Sequence, residues 1–102
     1  MSLFLVVLAA GDGNRLKNSI PKQYIKVNQI PILKYSINAF SNIKNIKKIV
    51  VVYKAQHQKY IDKLNLQNVI KVKGGKSRQE STFLALKKIN KMNCSKVLIH
   101  DA

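Results

Sequence analysis

Two kinds of hydrophobic pattern alternate along this chain. SLFLVVLA at 2–9 is almost continuously apolar, and IKKIVVVYK at 46–54 contains the apolar run IVVVY; both read as strands covered on both faces. Between them, ILKYSINAFSN at 32–42 sets Leu33, Ile37 and Phe40 at i, i+4 and i+7, the spacing of one helix face. AQHQKYIDKLN at 55–65 predicts a weaker helix with Tyr60, Ile61 and Leu64 on its apolar side. NVIKVK at 68–73 alternates as a strand does and ends on Gly74-Gly75. SRQESTFLALKKINKM at 77–92 predicts a helix with Ser77 as N-cap and Glu80 three residues later, the capping-box spacing; Leu86, Ile89 and Met92 are expected to face inward. KVLIHDA at 96–102 supplies a fourth strand.

Strands alternating with helices in this way predict parallel βαβ units and a three-layer α/β/α sheet of mostly parallel, Rossmann-like character. Ligands bind such sheets outside the carboxyl ends of the strands. Three segments are expected at that edge: the loop over 9–22, Gly74 to Ser81, and His100-Asp101. Because the sequence stops on a strand, with its acidic residue next to last, it reads as cut short.

Composition narrows the class. A chain of 102 residues with 46% hydrophobic content suits one globular domain. FLVVLAA (4–10) and IVVVY (49–53) fall well below the roughly 18 apolar residues of a membrane span. No positive charge precedes the first apolar run, which argues against a signal peptide, so no membrane association and a cytoplasmic location are the expectation. The lone Cys94 cannot form an internal disulfide, and His57 and His100 do not complete a zinc set. Net charge is +15, which invites polyanions, yet the seventeen lysines are spread along the chain rather than clustered. The two arginines, Arg15 and Arg78, lie in or just after glycine-bearing segments, where a planar fork suits phosphate.

Those segments admit three phosphate-loop readings. A dinucleotide fingerprint would need glycine where Leu16 stands and an acidic residue roughly twenty positions on, and the stretch from Pro31 to Ser36 has none. Gly75-Lys76-Ser77 matches the tail of a Walker A loop, which would need glycine where Ile70 stands. The third reading takes Ala9-Ala10-Gly11-x-Gly13 as a nest of main-chain N–H groups open to a triphosphate, with Arg15 reaching the phosphates and Pro21 stiffening the approach to Lys22. A solvated loop whose glycines only make a turn is the plain alternative.

AAGDGNRL, IPKQY, GGKSRQES and the terminal VLIHDA together resemble, in order and near spacing, the signatures of the 2-C-methyl-D-erythritol 4-phosphate cytidylyltransferases of isoprenoid biosynthesis. The resemblance covers essentially the whole chain but about the first half of a family member. It implies a nucleotidyltransferase sheet, residues 1–102 being the CTP-binding portion of one domain, with the acceptor-binding half absent. It further implies transfer of a cytidylyl group from CTP to a sugar-alcohol phosphate, with pyrophosphate released. Carried over by motif, Arg15 and Lys22 would be the catalytic cations; Ala9, Ala10, Gly11, Gly13, Gly74, Gly75, Arg78, Ser81 and Ala102 would bind nucleotide; and Asp101 would hold Mg²⁺. The full-length enzyme would be a homodimer. His100 receives no role, and the Ala-Arg-Pro segment that normally follows His-Asp-Ala is missing. A ribitol 5-phosphate cytidylyltransferase is the nearest alternative, although that family tends to carry glycine where Ala10 stands; a fused downstream cyclase and a small basic nucleic-acid-binding protein are the others.

Overall fold

The computed structural model describes residues 2–11, 20–43, 45–92 and 94–102. Its main sheet has four parallel strands in the order β5-β4-β1-β6, with β1 at Leu3–Ala9, β4 at Ile46–Tyr53, β5 at Val69–Lys73 and β6 at Lys96–Asp101. The continuous apolar runs sit where they must. β1 and the second half of β4, the two inner strands, are buried on both faces.

One face is covered by α1 (Ile32–Ser41) and α2 (Gln58–Lys63), the other by α3 (Arg78–Ile89). Leu5, Val7, Ile49 and Val51 pack with Leu33, Ile37, Ile61 and Leu64 on the first side. Phe4, Val6, Val50 and Val52 pack with Ala85 and Ile89 on the second. The predicted three-layer architecture is therefore the observed one.

Three local differences have physical reasons. The second helix begins with a 3₁₀ turn, Ala55–His57, and no side chain caps it. On α3 the inward stripe is Ser81, Ala85 and Ile89, at strict i+4 spacing, while Leu86 turns out at 41% exposure. Ala85, having almost no side chain, lets the helix approach the sheet, and that rotation carries Leu86 off the contact line. Finally, a small hairpin, β2 (Lys26–Val27) with β3 (Ile30–Pro31), precedes α1. Asn28 and Gln29 both take positive φ, 52° and 70°, the pattern of a type I′ turn.

Candidate functional site

Parallel pairing brings all four carboxyl ends to one rim. There Leu8 to Gly11, Lys22, Gly74 to Arg78, Ser81, Asp101 and Ala102 line a single open cleft of about 1060 Å³. Of the sequence-predicted residues, Ala9, Ala10, Gly11, Lys22, Gly74, Gly75, Arg78, Ser81, Asp101 and Ala102 are thus together. Gly13 and Arg15 lie outside the described residues. A smaller cleft of about 410 Å³ opens on the opposite rim, between α1 and the starts of β4 and β5, and contains none of them.

The rim is tied by main-chain bonds that extend the sheet. Gly74 N–H donates to the Tyr53 carbonyl at 2.7 Å, and Ala102 N–H to that of Leu8 at 3.0 Å. Gly74 is required by space. A Cβ there would stand 2.5 Å from Ala10 Cβ and 2.8 Å from Ser81 Oγ. The close approach of the β1 and β5 ends thus depends on the missing side chain. Gly75 N–H donates to Ser81 Oγ at 3.0 Å, and Ser81 itself is buried on α3. Both glycine N–H groups are spent inside the protein, so the main-chain groups they leave for a ligand are carbonyls.

The start of α3 is built as the sequence spacing predicts. Ser77 Oγ accepts from Glu80 N–H at 3.0 Å, and Glu80 Oε1 accepts from Lys76 N–H at 3.3 Å. This second bond falls one residue short of the N-cap's own N–H, but the purpose is the same, satisfaction of main-chain donors at the turn. Glu80 is thereby occupied. Among the described residues Asp101 is the other carboxylate of the cleft, and Arg78 lies on it at 3.1 Å.

Gln23 is the residue that sequence reasoning missed. Buried at 7% exposure, its Nε2 donates to the carbonyls of Ala9 and Gly11, both at 2.9 Å. The carbonyls flanking Ala10 are thus pulled toward the protein, and the shape of the loop's beginning is fixed by its neighbour in the IPKQY segment. Lys22, the preceding residue, opens a 3₁₀ turn (Lys22–Tyr24) and is exposed to the cleft.

Beneath that turn Tyr24 stacks on Tyr60 with centroids 4.9 Å apart and meets His57 edge-on at 5.4 Å. Burial, reinforced by the Tyr53 phenol, pushes Tyr24 ionisation upward, so its hydroxyl stays protonated. Burial, and after it the charge of Lys54, lowers His57 below the ordinary imidazole value of 6.5. The turn carrying Lys22 therefore rests on a neutral aromatic cluster. His100, on β6, packs its ring 5.0 Å from Phe40.

The family model for IspD, 2-C-methyl-D-erythritol 4-phosphate cytidylyltransferase, matches residues 3–102. The chain belongs to this family. A 2-C-methyl-D-erythritol 4-phosphate cytidylyltransferase from Clostridium kluyveri is 45% identical over 98% of this chain and 45% of its own length. A bifunctional IspD/IspF enzyme of Pelagibacter ubique is 37% identical over all of this chain and 28% of its own. Among solved structures, the bifunctional IspDF of Campylobacter jejuni superposes with a TM-score of 0.79 at 27% identity, covering 99% of this chain and 26% of that one. The 4-diphosphocytidyl-2C-methyl-D-erythritol synthase of Anaerococcus prevotii gives 0.71 at 25% identity, over 97% and 42%. The chain spans less than half the length of these relatives.

Proposed function

We infer that the cleft is the CTP site of a cytidylyltransferase acting on 2-C-methyl-D-erythritol 4-phosphate. The observation that carries this reading is the meeting of Gly11, Lys22, Gly74-Gly75 and Asp101 at one rim in a chain of the IspD family. Cytosine offers an exocyclic amino donor. With the N–H groups of Gly74 and Gly75 already engaged, their carbonyls are suited to accept it.

In the reaction, an acceptor phosphate oxygen attacks the α-phosphorus of CTP, the bond to the β-phosphate oxygen breaks, and pyrophosphate leaves. Negative charge grows on the in-line transition state and on the leaving group. Fixed cations stabilise that charge without a covalent intermediate. Lys22 takes this role in the cleft, with Arg15 from the glycine loop as its partner. Asp101 would hold Mg²⁺, an ion that commonly uses one or two carboxylates with phosphate oxygens and water. When bound, the ion neutralises phosphate charge.

The 102-residue chain is expected to bind CTP. The enzyme would be a cytoplasmic homodimer. No helix among the described residues is long and apolar enough to cross a membrane. The test is ligand-induced thermal stabilisation at moderate salt. CTP with Mg²⁺ should raise the melting temperature more than ATP or duplex DNA. Equal response to any polyanion, fading as salt rises, is what the net charge of +15 would give by itself; it would mark a nucleic-acid-binding protein and overturn the assignment.

A further inference from the structure

At the mouth of the cleft Arg78, the first residue of α3, grips Asp101, the last of β6. Its Nε donates to Oδ1 at 3.1 Å and its Nη2 to Oδ2 at 3.4 Å. Stability does not account for this pair. The two side chains are 62% and 66% exposed, and ion pairs so placed add little. A cation in the first turn of a helix also opposes the helix dipole, a turn in which Glu80 already supplies the favourable sign and Ser77 the cap. Nor is Arg78 needed to seat α3, which Ser81, Ala85 and Ile89 bury against the sheet.

What the contact does fix is direction. An exposed aspartate at a strand end is free to turn, whereas a guanidinium fork engages a carboxylate in one plane. The fork occupies only part of the carboxylate's capacity, about two of roughly four lone-pair sites. The rest stay available to a ligand in the cleft that Gly11 and Gly75 also line.

We propose that Arg78 is a positioning residue for Asp101, presenting that carboxylate to the divalent cation that accompanies the nucleoside triphosphate. The resemblance places Arg78 among the nucleotide contacts; in the structure its guanidinium engages Asp101. The proposal rests on the reading of the cleft as a Mg²⁺–CTP site.

It is tested by titrating Mg²⁺ against CTP-induced thermal stabilisation in the wild-type chain, R78M, R78K, D101N and R78M/D101N. R78M should raise the Mg²⁺ concentration for half the effect about tenfold, as loss of an outer contact to a metal ligand does. R78K, which keeps the charge and loses the fork, should behave like R78M. Melting temperature without ligand, and the response to CTP in EDTA, should not change in either. D101N should remove the Mg²⁺ dependence, and the double variant should be no worse than D101N. A wild-type titration curve for R78M overturns the proposal, as do additive effects of the two substitutions. So does weaker CTP binding by R78M in EDTA, which would make Arg78 a nucleotide contact. If the wild-type chain shows no Mg²⁺-dependent response to CTP, the reading of the cleft itself fails and takes this proposal with it.

Discussion

Single atoms decide much of this rim. Gln23→Leu removes two hydrogen bonds at once and strands the Ala9 carbonyl in a buried setting; we expect a loss of about 1–3 kcal/mol in urea unfolding, with a weaker CTP response. Gly74→Ala forces a methyl group against Ala10 and Ser81, neither of which has a long side chain to swing aside. A similar cost, about 1–3 kcal/mol, should follow from overpacking, measured as a lower urea midpoint at unchanged slope. At Gly75 the added methyl would meet the Glu80 side chain, which can move if it releases Lys76 N–H. His57 supplies the pH dependence. Its folded-state value lies below 6.5, so the unfolded chain binds the proton more readily, and stability present above pH 6.5 is lost as pH falls toward the folded value. Urea midpoints at pH 7.5 and 5.5 should therefore diverge more in the wild-type chain than in His57→Phe.

Elements were more legible than their details. β1 and β4 could be read directly because an inner parallel strand needs apolar side chains on both faces, and that demand writes itself as an unbroken run. The α3 start was equally plain, since capping is local chemistry between Ser77 and Glu80. Ser77→Ala should cost about 1 kcal/mol in chemical denaturation, loosening the turn that carries Arg78. Leu86 was misplaced because periodicity fixes a face only to within a residue, and the small Ala85 decided which residue touches the sheet. The β2–β3 hairpin hides in two-residue strands, too short for alternation to register, although Val27-Asn28-Gln29-Ile30 carries a turn residue between apolar neighbours. The candidate site was legible wherever a motif touched the rim with its own backbone, as at Gly11 and Gly74. It was illegible where one segment served another: Gln23 reaching back across twelve to fourteen residues, or Arg78 reaching across twenty-three to Asp101. Sequence order does not record which way a side chain turns.

Across the whole molecule the two borders of the sheet differ. β5 bears the exposed Lys71 and Lys73, charges of the sort that discourage a further strand from pairing. Along β6, Leu98 and Ile99 are 47% and 42% exposed, one on each face according to their pairing with Leu5 and Val6. We expect Ile99→Lys to raise the protein concentration at which light scattering begins, and Lys71→Leu to lower it. The sheet is accordingly hospitable on one flank and guarded on the other. A further backbone that paired along β6 would be set down beside Asp101, at the mouth of the cleft.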